Sequence, residues 1–276
     1  MNFYCDLCLT KKDEASDTHF NELLSCSILD NYQVISINQT RKGIIPEEKK
    51  QKNKDNNMNN NNIINKDFIQ ELYTKNSLKF LNVQKKDLIN WDKIKIYKRL
   101  TIEISDQKEI FQLTKLNNYL KSFDILAVRP KNDKILESCL TTDLNCDIIN
   151  IDLYEKFSFM SKKKLFQTAA DKGMFFEIEY GKFIIDNESR SNFISNFILL
   201  NQVLKGNNII ISSGAENVFM QRNPEDVLII LETIFDIKKH MAYKMITENP
   251  IKAVLKSKQR KLFKTTLGIM NSENNK

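Results

Sequence analysis

The spacing of apolar positions divides the chain into short strands and amphipathic helices. Residues 3–9, FYCDLCL, put Phe3, Cys5, Leu7 and Leu9 on one face of a strand and Tyr4, Asp6 and Cys8 on the other. Asp17 or Thr18 can cap a helix over 18–30, and VISIN at 34–38 reads as a second strand. The polar, low-complexity run at 46–66, PEEKKQKNKDNNMNNNNIINK, has no apolar period and is expected to be a disordered insertion. Regularity returns with KIYKRLTIEIS at 95–105, which alternates like a strand. Asp106 followed by Glu109 resembles a capping box and opens a helix to Lys121. DILAVRP at 124–130 is a strand that Pro130 stops, and Asn132 or Asp133 caps a helix to 142.

Further on, DIINIDL at 147–153 and MFFEIEY at 174–180 read as strands. Between them lies a basic, aromatic loop with Lys156, Phe157, Phe159 and Lys162–Lys163–Lys164. Residues 189–206 form an amphipathic helix, with Phe193, Phe197, Leu200 and Leu204 on one face and Gly206 just past its end. NNIIISSG at 207–214 is a strand. Asn223, Pro224, Glu225 and Asp226 then supply a cap, a proline at the first helical position and first-turn acids for a helix to 235. Residues 237–246 are helical, and Asn249–Pro250 starts one more helix.

Strand followed by helix, repeated, predicts a parallel sheet in an α/β fold. Seven or more strands in a single domain over 1–270 fit a TIM-barrel-like (β/α) barrel, with a doubly wound open sheet as the alternative. A barrel would gather Ser105, Arg129, Asp152, Tyr180 and Ser212–Ser213–Gly214 on the rim at the C-terminal strand ends.

Composition changes this picture modestly. Of the 276 residues 41% are hydrophobic, enough for a sizeable core. No stretch is long and apolar enough for a membrane span, and the acid-containing start lacks the basic region of a secretory signal, so an intracellular protein without a membrane partner is expected. Five cysteines then read as small buried hydrophobes rather than disulfides.

The net charge is +7. Abundant Asn, Lys and Ile beside only 6 Gly and 4 Pro reflect AT-rich coding, so the position of the charge matters more than its sum. Between 238 and 264 stand Lys238, Lys239, Lys244, Lys252, Lys256, Lys258, Arg260, Lys261 and Lys264, against the single acid Glu248. These C-terminal helices therefore carry a local excess larger than that of the whole chain, a pattern suited to phosphates.

Signals for catalysis are sparse. There are two histidines, and neither His19 nor His240 falls at a strand end, whereas a polynuclear metal hydrolase needs several on one rim. Cys5 and Cys8 have zinc-like spacing, but Cys26, Cys139 and Cys146 supply no second pair. No glycine-rich phosphate loop and no nucleophile elbow is present. Asp6, Glu103, Asp152, Glu177 and Glu216 are the acids from which a carboxylate site would be built.

Four stretches carry a family resemblance: FYCDLCL; KIYKRLTIEISDQ; YEKFSFMSKKKLFQTAADKGMFFEIEY leading into the 189–206 helix; and GNNIIISSGAENVFMQRNPEDVLIIL, with KLFKTTLGI near the end also similar. In this order they resemble the thirty-kilodalton protein subunit shared by ribonuclease P and ribonuclease MRP. The resemblance implies a barrel related to polymerase-and-histidinol-phosphatase domains without their metal site, and no catalytic residue in this chain. It implies a subunit that binds and organises a catalytic RNA for removal of the 5′ leader of precursor tRNA. The implied partners are ribonuclease P RNA, precursor tRNA, a Pop5-type small subunit and other ribonuclease P proteins, in the nucleus and nucleolus. No cofactor is expected on this chain, while the RNA of the holoenzyme is expected to need Mg2+.

Residue by residue, the matching stretches carry Arg99, Lys172, Arg190 and Arg222 as RNA or subunit contacts, joined on charge by Lys256, Lys258, Arg260, Lys261 and Lys264. Ser212, Ser213 and Glu216 are expected to organise the rim. Arg129 and Lys162–Lys164 match the pattern only loosely. The basic C-terminal side chains are expected to be exposed, so their removal should leave stability unchanged. A metal-dependent phosphoesterase is the alternative reading, motivated by the barrel alone.

Overall fold

A computed structural model of the chain describes residues 3–11, 17–43, 94–114, 118–155, 162–188 and 190–262. The expected insertion at 46–66 and Lys264 lie outside the described residues, as do positions 156–161 of the basic loop. In chain order the elements are β1 (Tyr4–Thr10), α1 (Asp17–Leu29), β2 (Tyr32–Lys42), β3 (Lys95–Ile104), α2 (Gln107–Thr114), α3 (Asn118–Lys121), β4 (Ile125–Pro130), α4 (Asp133–Thr141) and β5 (Ile148–Asn150). They continue with α5 (Lys163–Asp171), β6 (Phe175–Glu179), α6 (Gly181–Ile185), α7 (Arg190–Leu204), β7 (Ile209–Ser212), a 3-10 turn (Val218–Met220), α8 (Pro224–Thr233), α9 (Lys239–Ile246) and α10 (Glu248–Leu262).

The seven strands pair in sequence order, every pair parallel. A bridge between Leu9 and Ala215, with the Thr10 amide donating to the Ala215 carbonyl at 2.8 Å, brings β1 to the end of β7 and nearly closes a TIM-barrel-like barrel. The expected α/β barrel is therefore the fold, and the open-sheet alternative falls. Two helices were not anticipated. α5 follows Lys162, which makes no side-chain cap, and buries Phe166 and Ala169, so its lysines looked like loop. α6 is five residues long and begins at Gly181, where a Cβ would come within 2.6 Å of the Ser213 carbonyl oxygen. The single helix expected from 106 to 121 is two, α2 and α3.

Parallel strands are covered on both faces, so alternation sorts side chains between the outer helices and the barrel interior. Leu100, Ile102, Leu126, Val128, Phe176 and Ile178 face outward into the main core with the helices. Leu9, Ile35 and Ile37 pack beneath α1 against Phe20, Leu23 and Leu24. Inside, a lower layer of Cys5, Leu7, Val34, Ile125, Ala127, Ile148, Phe175 and Ile210 meets Ala253 and Val254 of α10. The last helix thus closes the N-terminal mouth of the barrel with an apolar face.

Polar ties fix that helix in place. Arg260 Nε donates to both Asp147 carboxylate oxygens at 3.0 Å, and its Nη2 to the Asp124 carbonyl at 3.1 Å. Lys261 reaches the Asp124 carboxylate at 2.5 Å, and Lys256 the Gly173 carbonyl at 3.0 Å. Asp147 itself is fully buried and accepts from the Leu126 amide. The expectation that these basic side chains are exposed is therefore corrected for Lys256 and Arg260, while Lys258 and Lys261 are exposed. The apolar stripe of α10 draws Lys256 and Arg260 against the loops that precede β4, β5 and β6.

Candidate functional site

Above the lower layer the barrel interior turns polar. β3 alternates so that Arg99 and Thr101 point inward while Leu100 and Ile102 point out, and β6 does the same with Glu177 and Glu179. Arg99 is wholly buried. Its Nη1 donates to Glu177 Oε1 at 2.6 Å and to the Leu7 carbonyl at 2.5 Å; Nη2 takes the other Glu177 oxygen, and Nε reaches Thr101 Oγ1 at 3.2 Å. Asn150 Nδ2 donates to Glu177 and to Glu179, each at 2.7 Å, and Ser212 Oγ donates to Glu177 at 2.7 Å. One level higher, Arg129 Nη2 reaches Glu179 at 2.5 Å, and Lys131 pairs with Glu103 at 2.7 Å. The two guanidiniums and two carboxylates are stacked along the barrel axis, with solvent reaching only the upper pair.

Among the described residues, one grouping could hold a metal: Cys8, Glu177 and Glu179, whose ligand atoms lie within 4.8 Å of one another. An irregular register between Asp6 and Leu9 lets Leu7 pack below while the Cys8 thiol donates to Glu179 at 3.2 Å. The donor set does not suit a cation. Both Glu177 oxygens are held by Arg99, and Glu179 Oε1 accepts from Arg129, Asn150 and Cys8 at once. Burial pushes the Cys8 pKa well above the usual thiol range, and Arg99 and Arg129 only partly oppose this. Burial also pushes Glu179 upward, but Arg129 and Arg99 outweigh it and hold the carboxylate below its ordinary value. The positive charge these carboxylates meet is that of the Arg99 and Arg129 guanidinium groups.

At the seam between β1 and β7, Asp6 does the work of a missing ladder. Its Oδ1 accepts the amides of Cys8 and Ser213, each at 3.1 Å, while Oδ2 is buried without a partner. Burial raises its pKa, and the hydrogen bonds from Ser213 and Cys8 only partly oppose this. Ser213 Oγ donates to the Cys8 carbonyl and accepts from the Ala215 amide, pinning the turn that leaves β7. Ser212 and Ser213 therefore organise the barrel interior and its seam, while Glu216 is exposed beside them.

The basic residues named from sequence separate into several environments. Arg99 is the plain correction: it lies inside the barrel and presents no atom to a phosphate. Arg260 is nearly as enclosed. Arg190 caps α6 through the carbonyls of Phe183 and Ile184 and lies 5.4 Å over the Phe183 ring. Arg222 donates to the carbonyls of Phe219 and Gln221, and Lys256 to that of Gly173. Lys172 is exposed and pairs with Asp143, Lys261 pairs with Asp124, and Lys258 is exposed. The interior Arg129–Glu179 pair was missed as a unit. Its signal is the alternation of apolar residues with charges of both signs on three parallel strands, which only a barrel interior can pair.

Fold and interior together define a class: a TIM-barrel-like α/β protein whose axial carboxylates are neutralised by arginine. A family model described as RNase P subunit p30 matches residues 3–262. Protein GAMETOPHYTE DEFECTIVE 1 of Arabidopsis thaliana is 36% identical over 166 residues, 59% of this chain and 28% of that protein. Ribonuclease P protein subunit p30 of Mus musculus is 33% identical over 179 residues, 65% of each chain. The match thus spans less than two thirds of either relative. A chain in the cryo-EM structure of archaeal ribonuclease P with mature tRNA shares the fold, with a TM-score of 0.61 at 14% identity over 99% of both chains. This chain belongs to the RNase P subunit p30 family.

Proposed function

We propose that the chain is a non-catalytic subunit that binds and positions the RNA of ribonuclease P for removal of the precursor-tRNA 5′ leader. The observation that carries this reading is the locked interior. A barrel enzyme needs groups free to meet a substrate at the rim, and here Glu177, Glu179, Arg99 and Arg129 satisfy one another. The partners that follow are ribonuclease P RNA and, within the holoenzyme, a Pop5-type small subunit. Mg2+ would be held by the RNA rather than by this chain. The eukaryotic source of the two relatives supports a nuclear and nucleolar location.

The test is purification of the tagged native complex beside the isolated chain. The complex should cleave precursor tRNA and contain ribonuclease P RNA, and the isolated chain should hydrolyse no phosphoester in Mn2+, Fe2+ or Zn2+. Stoichiometric metal on the isolated chain, with hydrolysis lost on chelation, would instead establish a phosphoesterase at Cys8, Glu177 and Glu179.

A further inference from the structure

The cations between 238 and 261 differ in what holds them: Lys252 pairs with Glu248, and Lys258 is exposed without an ion pair among the described residues. Those of α10 that face the barrel are consumed by Asp147, Asp124 and the Gly173 carbonyl. Those of α9 are not: Lys238, Lys239 and Lys244 make no ion pair among the described residues, nor does Lys205 in the turn before β7. Lys205, Lys238, Lys239 and His240 are exposed, and Lys244 is half-buried. The turn and the helix form one continuous surface. Gly206 at φ +73 lies so close to α9 that a Cβ there would collide with Met241. Asn249, just beyond α9, donates to the carbonyls of Gly206 and Ile209. The flanking acids are Asp236, which is exposed, and Glu248, which pairs with Lys252 at 3.8 Å.

The arrangement runs against the stability of the free chain. Lys238 and Lys239 stand at the positive end of the α9 dipole, with no acid in the first turn and no side-chain cap. α8 shows the favourable pattern in the same molecule, with the Asn223 cap followed by Glu225 and Asp226. Crowding cations onto a helix start is unfavourable alone and becomes favourable when a polyanion lies across it, because each repulsion is then offset by an attraction to phosphate.

We propose that the edge formed by the α7–β7 turn and α9, with Lys205, Lys238, Lys239, His240 and Lys244, seats the phosphate backbone of the RNA. This rests on the RNA-binding reading above and gives it a location. The seat lies at the N-terminal mouth of the barrel, opposite the rim where barrels carry chemistry. Lys256, Arg260 and Lys261 of α10 act as its buttress rather than as the contact.

Full-length chain is titrated with transcribed ribonuclease P RNA across a KCl series. The wild type is compared with Lys205→Gln/Lys238→Gln/Lys239→Gln/Lys244→Gln and with a charge-matched control, Lys108→Gln/Lys134→Gln/Lys163→Gln/Lys164→Gln. The slope of log affinity against log salt should fall by about 2–4 in the first variant, at roughly 0.9 per phosphate lost, and stay at the wild-type value in the control. The first variant should also melt no lower than the wild type, since it relieves repulsion. The exposed double variant Lys238→Gln/Lys239→Gln provides the same reading with the least disturbance. An unchanged slope, or an equal fall in the control, overturns the placement while leaving the RNA-subunit reading intact. Absence of any RNA binding by the wild type overturns both.

Discussion

Arg99 decides how the interior of this molecule must be understood. Its guanidinium and the Glu177 carboxylate are both fully buried, and a buried ion pair tolerates loss of both members far better than loss of one. Arg99→Met should therefore cost about 3–5 kcal/mol of stability in urea denaturation, and Arg99→Met with Glu177→Met should recover most of it. A double variant as unstable as the single would contradict the pairing. Asp6 gives a second test. Because burial raises its folded pKa, its contribution to stability is fully present below the ordinary aspartate value of about 3.9 and is lost as pH rises through the raised value. Cys5, Glu177, Tyr32 and Tyr180 are titratable groups that interact with it. Relative to the wild type, Asp6→Asn should gain stability as the pH is raised from about 4 toward neutrality; a pH-independent difference would contradict the assignment. At this scale the sequence was legible where contacts are local. The Asn132 and Asn223 caps reach amides three residues on, as expected. Arg99 finds Glu177 78 positions away, and nothing in its neighbourhood along the chain distinguishes it from a surface arginine.

Among the elements, the strands and capped helices follow from apolar period and turn chemistry, and their order predicts the barrel. The helices that escaped, α5 and α6, lack the signals that would betray them. One starts without a side-chain cap; the other is a single short turn that begins on glycine. α10 was legible as a helix but not as a plug. Its net charge conceals the small apolar face of Ala253 and Val254, and its partner Asp147 lies 113 residues before Arg260. The consequence is measurable. Arg260→Ala should lower stability by about 3 kcal/mol, since it leaves the Asp147 carboxylate buried and unpaired, whereas Lys258→Ala should stay within about 0.5 kcal/mol of the wild type. Equal melting temperatures for the two variants would show that α10 does not seal the barrel through this pair.

For the molecule as a whole, the proposed RNA seat and the arginine–carboxylate interior lie at opposite ends of the barrel. The interior below the C-terminal rim is filled by arginine–carboxylate pairs, while lysines of the α7–β7 turn and of α9 that make no ion pair among the described residues lie at the opposite mouth. That division was only partly readable from the chain. The basic segment was visible as a count, but which lysines are held by the protein and which are available depends on packing. The family, by contrast, was legible from four ordered stretches, and the match over residues 3–262 bears it out. The most direct test of the account is ultraviolet crosslinking of the tagged native chain followed by sequencing of the attached RNA. The account predicts strong enrichment of ribonuclease P RNA, with crosslinked peptides from Lys205 and the 238–244 segment. Recovery of no structured RNA above background would contradict it.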